Sequence, residues 1–387
     1  KNLKKLLVIG GGFGGCTAVH EFSNKSNWEI TLAEPNNLLG GGVRTNFKSG
    51  HPFTYGPRHF LTQNESVFKY LSNHLKLRLC KEHQFISFVE NDGEFYNYPI
   101  HYDDINRMHD SEVISKEVHA LEESFKNAEF NLTTGSPKLE NTAVNYEDFW
   151  IRSIGPTLYK KFVEKYTKKM WMIEDNKLID DFSWSPKGVA IKKGPREGWD
   201  KAISAYPEAI DGYNQFFDSA LEKCDHRFLG HVENIQANSL LAKLGQEEKK
   251  YDLIINTAPL DTLYKSIYGD LRYIGRKIEY AILPVKYCLP NDVYFAYYTG
   301  NEDYTRIVEY KKFTLYESPH TLISLEYPSL EQGKYYPMPT KEFRDMHKKY
   351  LGICHKSFFN VGRLAKYNYR YDIDDVIEQV LEISKNI

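Results

Sequence analysis

The sequence predicts an α/β protein built from several structural units, and three regions of the chain carry that prediction. Residues 6–34 have the pattern of a strand, a glycine-rich turn, a helix and a second strand. Residues 100–180 have helical periodicity, and from about residue 225 short strands rich in Tyr, Ile and Val follow one another. With 387 residues, of which 41% are hydrophobic, the chain is long enough for two or three units with substantial cores.

The first region begins with LLVIGGGFGG and predicts a dinucleotide-binding turn. Gly10, Gly12 and Gly15 have the G-x-G-x-x-G spacing between a strand at residues 6–9 and a helix, and EITLAE at residues 29–34 is the next strand. Glycine lets the backbone approach a pyrophosphate, and the helix N-terminus supplies N–H donors. Glu34, about 20 positions further on, can accept hydrogen bonds from ribose hydroxyls. We therefore prefer a nucleotide site to the alternative, a plain tight turn.

The other two regions predict helices followed by strands. The segments HDSEVISKEVHALEESF and EDFWIRSIGPTLYKKFVEKYTKKMW are predicted helices, with the loop NLTTGSPKLENTAVN between them. Strands are predicted in YDLIINTAPL, NDVYFAYYTG, YTRIVEY and TLISLEYP, and SFFNVGRLAKYNYRYDIDDVIEQVLEI predicts a strand, a turn and a closing helix. Alternation in YTRIVEY would place Tyr304 and Arg306 on one face of the sheet and Thr305 and Ile307 on the other.

Charge and cysteine content exclude several classes of protein. A net charge of -2 gives no overall field that would attract nucleic acid or an anionic membrane. The five cysteines are scattered without metal-ligand or disulfide spacing, which favours a reducing cytoplasm and no metal. The apolar run at residues 6–9 is too short for a secretion signal, and no apolar run approaches the ~20 residues that span a bilayer. We expect a soluble, cytoplasmic protein without nucleic-acid or membrane partners.

A series of segments, in order along nearly the whole chain, resembles one family, the UDP-galactopyranose mutases. IGGGFGG resembles the FAD turn of that family, and EPNNLLGGGVRT resembles its acidic strand end with a Gly-Gly loop. FTYGPRHFLT, KYTKKMW, INTAPLD and DYTRIVEYKKF resemble its later motifs, as do LEYP, KYYPMP and VGRLAKYNY. A string of motifs in this order is more specific than any one of them.

The resemblance implies a fold in three parts that are discontinuous in sequence. These are a Rossmann-like FAD-binding domain (1–80, 225–270 and 345–387), a helical domain (100–180), and an antiparallel β-sheet substrate domain (181–224 and 271–344, with part of 81–99). Members of the family commonly form homodimers.

The resemblance also implies the reaction, which is an isomerisation. A UDP-pyranose such as UDP-Gal or UDP-GalNAc is converted to the UDP-furanose through a covalent adduct with N5 of reduced FAD, for cell-surface polysaccharide synthesis. Because the cofactor carries the covalent chemistry, the protein groups position the substrate and stabilise charge.

The motifs that match the family imply which residues of this chain form its site. Arg306, Arg58 and His59 are the candidate catalytic residues. The candidate substrate-binding residues are Tyr166, Trp171, Arg306, Tyr335, Tyr336 and Tyr369, and the candidate cofactor-binding residues are Gly10, Gly12, Phe13, Gly14, Gly15, Glu34, Gly41, Gly42, Gly362, Arg363 and Asp372.

Several of these residues have structural alternatives. Arg306 could form an inter-strand salt bridge with Glu309 or Glu326, and Trp171 could be ordinary core at the end of a helix. With 29 tyrosines in the chain many must be structural, and Tyr367 could only pack.

The sequence departs from the family pattern in three places. In YGPRHFLT, Arg58 and Leu61 stand where the family has histidines, and His59 lies one place along from the first. A permanent cation there would favour reduced, anionic flavin and could donate to a larger polar substituent, so we hypothesise that UDP-GalNAc is accepted. VAIKKGPREGW offers Lys192, Lys193 and Arg196 in place of the arginine of the gating loop, and VGRLAKYNYRYD carries one extra residue, which leaves Tyr371 and Asp372 as alternatives for facing the site.

Two other functions remain as alternatives. A flavin-dependent oxidoreductase of the amine-oxidase type shares the glycine fingerprint, but such enzymes usually have an apolar substrate channel, unlike the Arg- and Tyr-rich motifs here. A non-catalytic nucleotide-sugar-binding protein is suggested by the missing histidines.

Overall fold

The computed structural model describes residues 2–129, 142–182, 191–228, 232–236 and 239–387. Most of the predicted loop NLTTGSPKLENTAVN, together with Val189 and Ala190, lies outside these residues. The strands are β1 Lys4–Ile9, β2 Trp28–Glu34, β3 Asn46–Lys48, β4 His51–Phe53, β5 Phe60–Thr62, β6 Leu77–Leu79, β7 Gln84–Val89, β8 Glu94–Tyr98, β9 Ile203–Pro207, β10 Asp225–Phe228, β11 Val232–Gln236, β12 Leu241–Leu244, β13 Glu247–Lys250, β14 Leu253–Asn256, β15 Tyr273–Leu283, β16 Val293–Tyr298, β17 Arg306–Glu309, β18 Thr321–Ser329, β19 Tyr336–Pro337 and β20 Phe358–Asn360.

Helices occupy the predicted central region and the end of the chain. They are α1 Phe13–Ser23, α2 Glu65–Ser72, α3 Ser111–Ser124, α4 Tyr146–Ile154, α5 Pro156–Tyr159, α6 Lys165–Trp171, α7 Asn214–Leu221, α8 Leu260–Leu263, α9 Lys311–Thr314, α10 Lys341–Leu351, α11 Gly362–Ala365 and α12 Ile373–Asn386, with a π-helical segment at Lys160–Glu164 and short 3₁₀ segments at Gly41–Val43, Tyr102–Arg107 and Asn176–Leu178.

One sheet has five parallel strands in the order β10-β2-β1-β14-β20. These strands come from distant parts of the chain. Residues 6–9 of β1 and 253–255 of β14 are apolar and buried, as expected for strands covered on both faces. Helices α1 and α12 pack together on this sheet, and Gly14 makes that contact close: a Cβ there would lie 3.0 Å from Val376. The predicted βαβ unit and closing helix are therefore neighbours in space.

The second large sheet has seven strands in the order β19-β15-β18-β17-β16-β7-β8. Its pairs are antiparallel except β16 with β7, which run parallel. The predicted strands β16, β17 and β18 form its centre. The long strand β15 was not predicted, although YIGRKIEYAIL has clear alternation.

Helices α3 to α5 and the π-helical segment make a third unit whose apolar side chains form one core. Ile114 and Val118 of α3 pack with Phe149 and Ile154 of α4 and with Leu158 of α5. The chain then enters α6, which brings its side chains toward the seven-stranded sheet. Among the helices of the described residues, none has the length and apolarity that a membrane crossing requires.

Candidate active site

The turn from β1 to α1 has the open backbone that a bound pyrophosphate needs. Gly10 has a φ of +96°, and a Cβ on Gly15 would lie 1.8 Å from the carbonyl oxygen of Gly10, so both positions require glycine. A Cβ on Gly12 would meet no atom within 4 Å, which leaves the backbone at the start of α1 accessible. The turn therefore fits a dinucleotide phosphate at a helix N-terminus.

Glu34 ends β2 beside this turn and is only 8% exposed. Its Oε2 accepts a 2.7 Å hydrogen bond from the backbone N–H of Gly11, and its Oε1 accepts 3.0 Å hydrogen bonds from the backbone and side chain of Asn36. The carboxylate is thus held at the place where a ribose would follow the pyrophosphate. Phe13, by contrast, packs in the core against Phe216, Phe217 and Tyr213.

Gly41 and Gly42 form a short 3₁₀ segment beside the predicted cofactor site. Gly41 has a φ of +54°, and a Cβ on Gly42 would lie 3.2 Å from the guanidinium of Arg58. Arg58 donates through Nε to the carbonyl oxygen of Tyr55 at 2.8 Å. The Gly-Gly loop therefore lies in close contact with the side chain of Arg58.

Arg58 and His59 are directed to different surroundings. The positive charge of Arg58 lowers the pKa of Tyr336 and of Glu326, after the larger effects of Arg276 and Arg306, so Arg58 lies near those groups. The ring of His59 lies instead in an aromatic cluster with Trp199 (4.6 Å), His83 (4.7 Å) and Phe313 (5.9 Å between ring centroids). The structure thus directs Arg58, rather than His59, toward the charged side chains.

A cleft of about 890 Å³, a volume that includes open solvent at its mouth, lies between α6 and the seven-stranded sheet. Five of the predicted substrate residues line it: Tyr166 and Trp171 from α6, Arg306 from β17, Tyr336 from β19, and Tyr369. The other lining residues are Tyr98, Tyr146, Trp150, Phe162, Val163, Thr167, Met170, Ile179, Asp181, Arg276, Thr305 and Pro339.

Arg306 lies opposite Glu326 in the β17–β18 pair and forms a two-point ion pair with it. Its Nε and Nη2 both donate to the carboxylate, the latter at 2.9 Å. Burial alone would raise the pKa of Glu326, but the charge and hydrogen bonds of Arg306 outweigh burial and hold it below its usual range. The predicted inter-strand salt bridge with Glu326 is therefore present, and Arg306 also lines the cleft, where its role in ligand binding stays a prediction. Glu309 instead accepts from the backbone N–H groups at residues 288 and 289.

Arg276 of β15 also lines the cleft, and the sequence analysis missed it. The residue is 6% exposed, its guanidinium lies 4.6 Å over the ring of Tyr336, and its Nη1 donates to the carbonyl oxygen of Gly275 at 3.0 Å. Within the described part of the chain, no carboxylate lies within 4.0 Å of this guanidinium, and its Nε has no hydrogen-bond partner. An arginine in an alternating strand, facing the same side as Ile274 and Ile278, was the available signal.

The arginines raise the positive potential around Tyr336. Burial would raise the pKa of the phenol of Tyr336, yet that pKa is lowered, because Arg276, Arg306 and Arg58 stabilise the phenolate. The carboxylate of Glu326 opposes these three cations, and Asp181 also lines the cleft. Buried arginines beside phenol rings suit a phosphate-bearing ligand.

Arg363 connects the cleft with the C-terminal turn. Its guanidinium lies 5.0 Å from the ring centroid of Tyr369 and 5.4 Å from that of Tyr336. Nη2 donates to Oδ1 of Asp372 at 3.0 Å, and Nε donates to the carbonyl oxygen of Tyr371. Gly362, with a φ of +84°, precedes it, and Asp372 is the N-cap of α12. Asp372 therefore caps α12 and accepts a hydrogen bond from Arg363.

The remaining sequence-predicted residues lie around the cleft. Tyr335 contacts Tyr336, with 6.3 Å between ring centroids. Tyr304 precedes β17 and packs on Tyr298 and Tyr327, and Thr305 lines the cleft, so the predicted face-sharing of Tyr304 with Arg306 is not observed. Tyr367 is structural, since its hydroxyl donates to a backbone carbonyl at 2.6 Å.

The three cations of the divergent loop form ion pairs. Lys192 pairs with Asp200 at 2.9 Å, Lys193 with Glu122 at 3.1 Å, and Arg196 with Asp104 at 3.3 Å. None of the three is among the described residues that line the cleft.

The chain thus combines the glycine turn of a Rossmann-like sheet with a cleft lined by arginines and phenols, which is the architecture of a nucleotide-dependent α/β protein class. Comparison with known proteins agrees. The family model for UDP-galactopyranose mutase matches residues 161–369, more than half of the chain, and a model for the NAD(P)-binding Rossmann-like domain matches residues 8–73. The chain belongs to the UDP-galactopyranose mutase family, the nucleotide-sugar pyranose/furanose mutases, whose members are isomerases.

Individual relatives match the chain over nearly its full length. A Klebsiella pneumoniae protein described as a probable UDP-galactopyranose mutase is 24% identical, covering 98% of this chain and 94% of its own. The dTDP-fucopyranose mutase of Escherichia coli is 23% identical and covers 99% and 98%. A crystal structure of reduced UDP-galactopyranose mutase has the same fold, with a TM-score of 0.78 at 15% identity and coverage of 100% and 94%.

Proposed function

We propose that this protein interconverts the pyranose and furanose forms of a UDP-sugar, UDP-galactose or UDP-N-acetylgalactosamine, with reduced FAD as cofactor. The observation that carries the proposal is the buried guanidinium of Arg276, which has no carboxylate within 4.0 Å among the described residues. Burying a cation without a counter-charge is costly, so the cleft is built for an anion that arrives from solvent. A nucleoside diphosphate supplies that anion and its two charges.

The parallel sheet would hold FAD through three elements. The backbone at Gly12 and the N-terminus of α1 would bind the pyrophosphate, Glu34 would accept from the ribose, and the Gly41–Gly42 segment would approach the remainder of the cofactor. When bound and reduced, FAD would supply the nucleophile for the anomeric carbon of the sugar. We propose that this cofactor domain comprises residues 1–80, 225–270 and 345–387, the helical domain 100–180, and the substrate domain 181–224 and 271–344 with part of 81–99.

The residues of the cleft bind the diphosphate and stabilise its departure. Arg276 and Arg306 approach from neighbouring parts of one sheet, and Tyr336 and Tyr369 present hydroxyls beside them. Negative charge on the diphosphate increases as the bond to the sugar breaks, so cations fixed before the reaction stabilise the departing group more than the bound substrate. Because Glu326 fixes Arg306 at two atoms, its guanidinium needs little reorganisation.

The aromatic part of the cleft lining suits a planar base. It comprises aromatic rings, among them Tyr98, Phe162 and Tyr166, with the hydroxyl of Tyr146 3.0 Å from that of Thr167. Aromatic rings stack on a pyrimidine, and hydroxyls can meet its polar edge. The E. coli relative is named for a dTDP-sugar, so thymidine nucleotides are the natural competitor in any test.

Arg58 is the residue that we propose for sugar preference. Its charge acts on Tyr336 and Glu326, and a Cβ on Gly42 would lie 3.2 Å from its guanidinium, which supports a position between the cleft residues and the Gly41–Gly42 segment. A guanidinium can donate to the acetamido carbonyl of UDP-GalNAc, which extends farther from the sugar ring than the hydroxyl at the same position of UDP-Gal. Replacing Arg58 with His is expected to reduce kcat/KM for UDP-GalNAc about tenfold relative to UDP-Gal, the effect of one lost charged hydrogen bond. An unchanged ratio of the two kcat/KM values would remove Arg58 from sugar selection.

The test is an assay of dithionite-reduced protein with UDP-Gal, UDP-GalNAc and dTDP-fucose in separate reactions, followed by chromatographic separation of pyranose and furanose forms. We expect interconversion of at least one UDP-sugar with no oxygen consumed. Turnover of dTDP-fucose alone would show that the substrate carries thymidine diphosphate and not UDP. Oxygen consumption coupled to turnover would favour an oxidase of the amine-oxidase type. UDP-sugar binding without turnover would instead favour a non-catalytic nucleotide-sugar-binding protein.

A further inference from the structure

Lys169 is an unusual member of α6, because its ammonium is surrounded by backbone carbonyls. Its Nζ lies within hydrogen-bond distance of the carbonyl oxygens of Tyr298 (2.9 Å), Gly300 (3.3 Å), Glu302 (2.8 Å) and Tyr304 (2.9 Å). The carboxylate of Glu302 is farther away, at 3.7 Å. The side chain is only 14% exposed, so these contacts replace most of the hydration of the ammonium.

Three of the four carbonyls belong to the loop between β16 and β17, and the fourth is that of Tyr298, the last residue of β16. The loop ends at Thr305 and β17 begins at Arg306, and both of these residues line the cleft. Helix α6 carries Tyr166 and Trp171 on the opposite wall. Lys169 itself is not among the lining residues, and it joins the backbone of one wall to the helix of the other.

We propose that Lys169 is a positioning residue that sets the distance between the aromatic wall of the nucleotide-sugar cleft and Arg306. The inference rests on the proposed function only in taking the cleft as the nucleotide site. An ammonium has three N–H groups, so four carbonyls can share it only while the loop stays wrapped around it. Loss of the ammonium leaves the carbonyl dipoles facing one another, and the loop is expected to open and carry Arg306 away from α6.

Lys312 provides a matched control, since it has the same chemistry at a distance from the cleft. Its Nζ donates to the carbonyl oxygens of Leu289 (3.2 Å), Pro290 (2.8 Å) and Asn291 (3.0 Å), and the residue is 6% exposed. Lys169→Ala and Lys312→Ala both remove a carbonyl-bound ammonium, and both are expected to lower the thermal stability. Only the first should change the cleft.

The first measurement is the Kd of UDP for the FAD-bound protein by titration calorimetry, below the unfolding temperature of each variant. Lys169→Ala is expected to weaken UDP binding roughly tenfold or more, and Lys312→Ala less than about twofold. In the double variant with Arg306→Ala, the loss should be smaller than the product of the two single losses, because Lys169 acts through Arg306. Independent losses would contradict that route.

The second measurement restores the missing atoms. Lys169→Ala deletes three carbons and the ammonium, which propylammonium replaces, whereas tetramethylammonium brings the charge without N–H donors. Propylammonium is expected to return UDP affinity toward the wild-type value, and tetramethylammonium at the same concentration is not. If Lys169→Ala does not fold, Lys169→Gln, whose amide has two N–H donors, is measured in the same way and is expected to weaken binding.

Hydrogen exchange supplies a readout that needs no ligand. The backbone N–H of Thr305 donates to the carbonyl of Glu326 at 2.8 Å, and that of Tyr298 donates to the carbonyl of Thr305 at 3.0 Å, so both amides report whether the loop is closed. Faster exchange at these two amides in the Lys169 variant is expected. Unchanged exchange, or a UDP Kd equal to that of Lys312→Ala, would overturn the inference. Failure of the wild-type protein to bind UDP would instead overturn the proposed function, while exchange still decides the role of Lys169.

Discussion

Arg276 and Arg306 line the same cleft, yet replacing each with Met should change stability very differently. Arg306 is paired with Glu326, which is 1% exposed, so Arg306→Met leaves a buried carboxylate without its main partner. That loss is worth about 3 kcal/mol, the lower end of the range for a broken buried pair, because Arg276 and Arg58 still act on Glu326. For a chain of this length the loss corresponds to a fall in Tm of about 4 °C.

Arg276→Met removes a buried cation that has no ion-pair partner among the described residues. The variant loses the cation–π contact with Tyr336 and the attraction to Glu326, but also the cost of burying the charge. The two effects oppose each other, so the free energy of unfolding should change by less than about 1 kcal/mol. Both variants should lose about 1.5–3 kcal/mol of UDP binding, a Kd increase of about 12- to 160-fold, because each removes a charged phosphate contact.

The assay combines calorimetric unfolding of the nucleotide-free, FAD-bound protein with UDP titration of the same samples. Two results would refute the reasoning: an Arg276→Met variant that loses as much stability as Arg306→Met, or one that binds UDP like the wild type. The first would show that Arg276 is a structural ion-pair residue, and the second that its charge does not face the ligand.

Two further predictions concern the cofactor domain. Burial, and then Asp375 and Asp372, raise the pKa of Asp374 to about 7. Since its pKa in the unfolded chain is about 3.9, the folded protein binds more protons between those values and loses stability as pH rises through that window. Asp374→Asn should therefore be about 1–2 kcal/mol more stable than wild type at pH 8, after discounting for partial exposure, and no more stable at pH 4, as thermal unfolding at the two pH values will measure. Gly12→Ala, whose Cβ meets no protein atom within 4 Å, should keep the apo-protein Tm but lose FAD, whereas Gly15→Ala should lose both, because its Cβ would lie 1.8 Å from a backbone oxygen. Flavin absorbance per mole of protein decides this comparison, and FAD retention by Gly12→Ala would contradict the placement of the pyrophosphate.

Local patterns predicted the α/β class and its first unit because the chemistry involved is itself local. The glycine turn, the strands around it and Glu34 lie within about thirty residues, and each requirement can be recognised without knowing the rest of the fold. The resemblance then predicted which residues from α6, β17 and β19 meet. Five of the six predicted substrate residues line one cleft, although they come from segments spread over residues 166–369.

The side-chain directions could not be predicted with the same success. His59 follows Arg58 directly in the sequence, but its ring lies among Trp199 and Phe313, which are remote in the chain. Arg276 was missed because nothing near it in sequence distinguishes a strand arginine in a cleft from one in solvent. Its environment depends on Tyr336, which pairs across β15 and β19 with Ile274. Contacts of this kind depend on register, which the sequence pattern leaves open.

The parallel sheet is completed late in synthesis, because its strands are far apart in the chain. β1 begins at residue 4, its neighbour β14 begins at residue 253, and β20, which follows β14 in the sheet, begins at residue 358. At ribosomal rates of about 5–20 residues per second, about 12–50 s separate the emergence of β1 from that of β14. During this interval the edge of β1 that later pairs with β14 is exposed and can pair with other chains. We therefore expect the nascent chain to be prone to mispairing at that strand until β14 has been made.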